Sequence, residues 1–329
     1  MLQKSLCATT CVVLAAVAGC GGAGSREPAA DSYGVSELET LGADESSAHG
    51  INNDGLIVGS AAGNPVAWEK GEMTVLGSKL GEATALNDSG QIVGQTANSA
   101  FLWEDGEMID LGTLGGYESS ASDINDHGQI VGGIDDAEHA FLWQGGETTD
   151  LGSLTVDGWD EYSDCSAASI NDEGKIVGDC RGVVDETRAF LWVDGAMMDL
   201  GTLGGKISGA TDINDQGQIV GWSTTAPAQE QQQANAFLWQ DGEMTDLGTL
   251  GGVFSAATAI NERDQVVGFS ETARGALHAF IWADRQMIDL GALEPDSNSF
   301  AADINDKGEI VGESGQGWGG EAVLWKPGR

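Results

Sequence analysis

The sequence predicts an all-β protein: a seven-bladed β-propeller of four-stranded blades, the ring closed by pairing of the N-terminal and C-terminal strands. Three observations predict it. One sequence unit recurs seven times. Each unit holds four short strand candidates and no helical apolar period or helix caps. The chain begins and ends part-way through a unit.

The unit runs roughly "xMxDLGTLGGxxSxAxxINDxGQIVGxS…xAFLWxDG". Its "IN" or "LN" asparagine recurs at Asn52, Asn87, Asn125, Asn171, Asn214, Asn261 and Asn305, spaced by 35, 38, 46, 43, 47 and 44 residues. The tryptophan closing "AFLW" or its variant recurs at Trp68, Trp103, Trp143, Trp192, Trp239, Trp282 and Trp325. A Leu-Gly pair recurs at Leu41, Leu76, Leu111, Leu151, Leu200, Leu247 and Leu290.

Four strands follow in each unit. Strand a is "EMIDLG", b is "SASDIN", c is "QIVGG" and d is "AFLW". Strands b and c meet at "NDxG", which suits a type I turn with glycine in the left-handed position. Strands d and a meet at a tight turn such as Asp105-Gly106. The centres of c and d, as in Ile130-Val131 and Phe141-Leu142-Trp143, are continuous apolar runs, and a strand apolar on both faces must be covered on both. A unit of about 45 residues covered on both sides fits a propeller blade.

The ends of the chain predict the closure. The domain starts with strand a (36–42) and stops after strand d (322–325). A two-residue turn cannot cross between blades, so the d-to-a turn lies inside a blade. The last d strand then needs an a-type neighbour, and the unpaired one is N-terminal. Such pairing removes exposed edges. If strands alternate in direction, the b–c and d–a turns share one end of the ring, and the a–b and c–d connections share the other.

At "HAFLW" (139–143), "HAFIW" (278–282) and "DLGTLGG" the chain resembles the HAF family of extracellular repeats. The resemblance covers nearly all of residues 33–329, with departures at "PVAW", "LNDSG", "INERD" and "EAVLW". It implies an exported bacterial protein and carries no catalytic residues with it.

Residues 1–19 resemble a lipoprotein signal peptide: Lys4, an apolar run too short to span a bilayer, then Val17-Ala18-Gly19-Cys20. Cys20 is the expected lipidated residue, with an ordinary secretory signal as the alternative. Residues 20–32 read as a flexible tether, and 33–329 as the propeller. The expected location is the outer membrane or cell surface, with membrane contact through the lipid alone. Cys7 and Cys11 leave with the signal peptide. The pair left, Cys165 and Cys180, sits in an exported, oxidising context and flanks the hairpin "SDCSAASINDEGKIVGDC". A four-residue turn at 171–174 puts the two opposite each other, and a bulge at Gly174 slips them by one. A cross-strand disulfide is expected, with two buried thiols as the alternative. Two thiols without a nearby histidine do not make a zinc site.

The formal charge is −38, from 52 acidic and 14 basic residues. A field of that sign repels nucleic acid and anionic lipid. The 50 glycines and 5 prolines indicate many tight turns. "DLGTLGG", at Asp110, Asp199 and Asp246, is no phosphate loop: it joins strand to strand, no Lys-Ser or Lys-Thr follows, and it repeats. It reads as the exit of strand a, where the chain crosses between blades.

Calcium is the one cofactor the sequence raises. "DINDHG" (Asp123), "DINDQG" (Asp212) and "DINDKG" (Asp303) echo oxygen-rich calcium loops, but His127, Gln216 or Lys307 stands at the fifth position and no Glu at the twelfth. Asx-stabilised turns are the better reading. Of His49, His127, His139 and His278, two belong to the repeat, and no nucleophile–base motif is visible.

The three tryptophans outside the repeat, Trp159 in an a–b loop and Trp222 and Trp318 in c–d loops, fall at the same end of the ring, with Tyr162. Variable loops on a rigid scaffold are where binding is usually placed. The expected function is therefore a monomeric module binding a protein or glycan partner at Trp159, Tyr162, Trp222 and Trp318. The alternatives are an enzyme acting on extracellular or cell-wall glycans through the acidic insert (Asp157, Asp160, Glu161, Asp164), and a purely structural envelope component.

Overall fold

Glycine-bearing turns cut the repeat into short apolar strands, and no helix occurs among the described residues. The structure is a computed structural model and describes residues 33–40, 45–77, 80–134, 139–156, 160–162, 164–182, 186–225, 233–295, 297–316 and 320–328. The signal segment, Cys20 and the tether lie outside them.

Strand β1 is Tyr33–Glu37. The first unit supplies β2–β5 (Ser46–Ile51, Ile57–Ala61, Asn64–Glu69, Glu72–Val75), the second β6–β9 (Gly81–Leu86, Ile92–Thr96, Ala100–Glu104, Glu107–Gly112) and the third β10–β13 (Ser119–Ile124, Ile130–Ile134, His139–Gln144, Glu147–Asp150). A hairpin, β14–β15 (Leu154–Val156, Asp160–Tyr162), interrupts the series. The fourth unit supplies β16–β19 (Asp164–Ile170, Ile176–Arg181, Thr187–Val193, Ala196–Asp199), the fifth β20–β23 (Ser208–Ile213, Ile219–Thr224, Ala234–Gln240, Glu243–Asp246) and the sixth β24–β27 (Gly251–Ile260, Val266–Thr272, Leu277–Ala283, Gln286–Gly291). The last supplies β28–β30 (Asn298–Ile304, Ile310–Gly315, Glu321–Pro327).

Each unit forms a four-stranded antiparallel group in the order b, c, d, a. One parallel bridge, Ala234 to Phe254, joins the fifth and sixth groups. The last three strands take β1 as their fourth, from Tyr33 opposite Pro327 to Glu37 opposite Val323. That strand runs earlier than the expected 36–42. It is placed by β30, and beyond it the Leu38 amide bonds the Ala322 carbonyl at 2.9 Å, as Leu76 bonds Pro65 and Leu151 bonds Ala140.

The two-faced burial expected of strands c and d is present. Ile176 packs in a cluster with Val131 of the preceding unit, while its neighbour Val177 packs with Ala210 and Ile219 of the following one. Seven such clusters occur among the described residues, each drawn from two successive units. One of them joins Ala48, Ile57 and Trp68 of the first unit to Val311 and Ala322 of the last. The b strands contact one another in succession, β2 with β6 through to β28 with β2, so strand b is innermost.

Every b strand carries a β-bulge, for example between Ala167 and Ser169. The bulge settles the register that the sequence left open. Ile170 lies opposite Ile176, so the turn is one residue longer than four, and the bulge restores the count so that Cys165 faces Cys180. It also brings the carbonyl before the bulged segment onto the glycine of "IVG". A Cβ at Gly178 would collide with the Ser166 carbonyl, which is why glycine stands there in all seven units.

"DLGTLGG" crosses from one group to the next. Gly201 and Gly204 take φ of 83° and 110°, which side chains rarely adopt, and the Asp199 carboxylate accepts from the Gly201 amide at 2.8 Å. Ser208, entering the next b strand, donates to the Gly201 carbonyl at 2.7 Å and accepts from the Ala189 amide at 3.1 Å. The equivalent serines do the same elsewhere: Ser119 accepts from the Ala100 amide of the second unit, and Ser46 of the first unit accepts from the Ala322 amide of the last, each at 2.9 Å.

Candidate functional site

At one end the seven b–c turns meet. The buried Asn52 amide donates to the Asn87 carbonyl at 3.2 Å, Asn87 to Asn125, Asn125 to Asn171, Asn171 to Asn214, Asn214 to Asn261 and Asn261 to Asn305. Asn305 then donates to the Asn52 carbonyl at 3.1 Å, and the relay closes. A second relay runs through the next residue of each turn. The Asp126 amide donates to Asp172, Asp172 to Asp215 and Asp215 to Glu262. It closes when Asp306 donates to Asn53. All seven turns line one shallow pocket of about 210 Å³, ringed by six carboxylates.

One step inward, three units place aspartate where others have Gly50, Ala85, Ser169 or Ala259. Asp123 accepts from the Ile124 and Ile170 amides at 2.8 and 2.9 Å. Asp212 accepts from Ile213 and Ile260, and Asp303 from Ile304 and Ile51. The Ser169 hydroxyl lies 2.9 Å from Asp123 and 2.7 Å from Asp212. It has one proton to give, so both contacts are hydrogen bonds only when one carboxyl is itself protonated. Burial pushes Asp212 up to about 7, and the neighbouring Asp123 and Asp303 charges push the same way against the Ile260 and Ser169 bonds. Burial pushes Asp303 up to about 6 and also raises Asp123. Each of these residues keeps some contact with solvent; crowding by protein, not complete exclusion of water, raises the pKa.

In the three "DIND" turns the first carboxylate is thus occupied by amide donors, and the Asn125 side-chain oxygen accepts from the His127 and Gln129 amides. These are Asx-type bonds. Among the described residues no group of three or more His, Cys, Asp or Glu side chains is arranged to hold a metal ion.

At the opposite end stand the a–b and c–d connections. Of the expected binding residues, Trp159 and Trp318 lie outside the described residues, and Tyr162 ends strand β15. Trp222, expected in a c–d loop, lies inside β21, directly opposite Gly209. A Cβ there would stand 3.0 Å from the indole nitrogen, so the indole rests on bare backbone. Trp222, Phe254 and Phe269, with Thr211, Ala256 and Thr258, line a pocket of about 330 Å³ between the fifth and sixth units. The Phe254 and Phe269 rings are 5.7 Å apart, and Phe269 meets Phe300 edge-on at 5.1 Å. The phenylalanines were not singled out by sequence. Phe269 alone carries a signal: the residue after "IVG" or "VVG" is the variable one in strand c, namely Ser60, Gln95, Gly133, Asp179, Trp222, Phe269 and Glu313.

Cys165 and Cys180 are joined by a disulfide at the loop end of the fourth unit, both buried. Beside them Asp164 of the acidic insert pairs with Arg181 at 3.4 Å. Asp157 lies outside the described residues, and Asp160 and Glu161 fall in β15. The two repeat histidines each set Nδ1 against a carboxylate of their own unit, His139 against Asp150 and His278 against Asp289, both at 2.9 Å.

Comparison with solved structures decides the architecture. The chain is similar to virginiamycin B lyase from Staphylococcus aureus, with TM-score 0.60 and 12% identity over 89% of this chain and 99% of that one. YCF48 from Cyanidioschyzon merolae matches with TM-score 0.54 and 13% identity over 90% and 98%. The β-propeller domain of the Trilobed protease from Pyrococcus furiosus matches with TM-score 0.52 and 12% identity over 85% and 95%. The fold is a β-propeller. At these identities the likeness is one of fold, and propellers host unrelated chemistries. No protein-family model matches the chain, and neither does any curated protein sequence.

Proposed function

We propose that the chain is an exported, seven-bladed propeller that acts as an interaction module, docking an apolar side chain of a protein partner in the Trp222 pocket. Two relays that close after seven turns, and the β1–β30 pairing, support a seven-bladed ring closed by both ends of the chain. The HAF-type repeat, the lipobox ending in Cys20 and the Cys165–Cys180 bond support export and a lipid anchor at the envelope or cell surface. The observation that carries the docking reading is the placement of aromatics at the variable position of strand c in two adjacent units. There the repeat needs no aromatic for its own core.

A protein side chain fits this pocket better than a sugar. Thr211 and Thr258 turn their hydroxyls onto the Ala257 and Ala301 carbonyls at 3.0 and 2.9 Å. Few polar groups are left to read a glycan. The charge of −38 favours a partner that is basic or neutral around its apolar anchor. The test is capture from the envelope fraction by the full chain and by Trp222→Ala/Phe269→Ala. Loss of about 2 kcal/mol, or roughly thirtyfold in affinity, is expected for such an anchor pocket. Unchanged capture sinks the assignment, and capture of purified oligosaccharide lost in the same variant replaces it with the glycan reading. Separately, Cys20→Ala should abolish fatty-acid labelling.

A further inference from the structure

The bulged residue of strand b has a structural duty. Thr84, Thr211 and Thr258 occupy it in three units, and each donates its hydroxyl to a carbonyl of the following unit: Ala121 at 2.7 Å, Ala257 at 3.0 Å and Ala301 at 2.9 Å. In the first unit the residue is His49. Its Nδ1 lies 2.9 Å from the Ala83 carbonyl, so the histidine makes the same tie. A threonine would complete that tie with nothing to spare. Histidine completes it and keeps a second nitrogen.

That nitrogen is occupied. His49 Nε2 lies 2.8 Å from Ser47 Oγ, and Ser47 Oγ lies 3.1 Å from Ser60 Oγ. The proton positions follow from chemistry. A carbonyl only accepts, so Nδ1 carries the hydrogen, and in the neutral ring Nε2 is the acceptor. Ser47 must then donate to Nε2, and Ser60 must donate to Ser47. This is the wiring of an activated serine: hydroxyl to base, with the base held in one tautomer by a fixed acceptor behind it. The group opens on a pocket of about 570 Å³ between the last unit and the first, lined among others by Ser46, Ser47, Ser60 and Glu313. The Glu313 carboxylate lies near enough for its charge and that of His49 to act on each other.

We propose that Ser47 and His49 form a nucleophile–base pair that hydrolyses small, uncharged carboxylic esters. Ser47 Oγ attacks the ester carbonyl carbon as its proton passes to His49 Nε2. The Ser60 hydroxyl, released from Ser47, donates to the oxygen that becomes negative. The carbon–alkoxide bond then breaks, and the leaving alcohol takes the proton from Nε2. Water adds to the acyl-serine, giving its proton to Nε2. Ser47 leaves with that proton, and the carboxylic acid is released. Throughout, Nδ1–H stays on the Ala83 carbonyl, and Glu313 offsets the charge of the transient imidazolium. None of the residues lining the pocket is basic, while Glu45 and Glu313 are acidic, so anionic esters are rejected.

The site is separate from the Trp222 pocket, and the experiment keeps the two apart. The full chain is treated with an uncharged alkyl fluorophosphonate and mapped by peptide mass spectrometry, and hydrolysis of p-nitrophenyl acetate is followed in parallel. Label is expected on Ser47, and turnover at least tenfold lower in Ser47→Ala and His49→Thr than in the parent and in Trp222→Ala. His49→Thr installs the residue that makes the same tie in three other units, so its melting temperature should match the parent. Ser47→Ala removes one hydroxyl and tests the site should the threonine variant unfold. Label on another serine, turnover unchanged in Ser47→Ala, or turnover kept by a folded His49→Thr each overturns the proposal.

Discussion

The two ends of this molecule are built from the same seven repeats and differ in what the repeats are allowed to vary. At the turn end every unit presents the same asparagine and a carboxylate or amide after it, and each side chain is spent on the backbone of its neighbour. At the loop end the matching positions hold Ser, Gln, Gly, Asp, Trp, Phe and Glu in turn. Uniformity there would serve no closure, because the loop-end ties are made one layer in by the Ser46/Ser208-type hydroxyls. Repetition marks the positions that tie neighbouring units together. Departure from it marks the positions those ties leave free to vary, and the proposed docking pocket draws on them.

The strongest test of that division is at the turn end. Asn125 gives two bonds, to Asn171 and Gln129, and accepts two amides while buried. Asn125→Ala should cost roughly 3–4 kcal/mol in urea unfolding, because several buried groups lose their partners together. A cost below about 1 kcal/mol would show that the relay is ornament.

The loop end has one covalent tie. Cys165→Ser/Cys180→Ser opens a crosslink of separation 15 residues and should cost about 3 kcal/mol by loss of the loop constraint on the unfolded chain. Partner capture should survive while the domain stays folded, since the Trp222 pocket lies between the fifth and sixth units.

Between the two ends, the inner carboxyls predict an inverted pH response. Asp212 at about 7 and Asp303 at about 6 sit above the ordinary 3.8, so the folded state binds these protons more tightly than the unfolded chain does. Their ionisation destabilises the fold above those values. The melting temperature should therefore rise as pH falls from about 8 to 5. Asp212→Asn should gain on the order of 1–2 kcal/mol at pH 8 and flatten the slope. A melting temperature that falls over that interval, with the variant parallel to the parent, would contradict shared protons among Asp123, Ser169 and Asp212.

The smallest effect concerns a single departure at the turn end. Six b–c turns place glycine in the left-handed position, as at Gly217 with φ 76°, whereas "INERD" places Asp264 there with φ 60°. Asp264→Gly should raise stability by about 0.5 kcal/mol at most, since aspartate tolerates that conformation and glycine adds unfolded-state entropy.

Much of this fold was legible because the repeat states each requirement seven times. The apolar runs of c and d required two covered faces, and Ile176 and Val177 have them. The interrupted first and last units required each other, and β1 lies on β30. The candidate sites were less legible. Trp222 stood out as a tryptophan beyond the repeat, but its partners Phe254 and Phe269 are ordinary strand residues by pattern, and they meet it only across a boundary between units. His49 and Ser47 looked like unremarkable polar residues, because a nucleophile–base pair is defined by distance and tautomer, not by composition.

The sequence by itself determined the repeat count, the strand class and the points where the chain turns, since these follow from local apolar period and backbone freedom. Only the tertiary structure decided that strand b is innermost and that Asp123 and Asp212 meet over the one Ser169 hydroxyl. Those outcomes depend on which units become neighbours in space. Neighbours 43 to 253 residues apart in the chain leave no local signal of their contact.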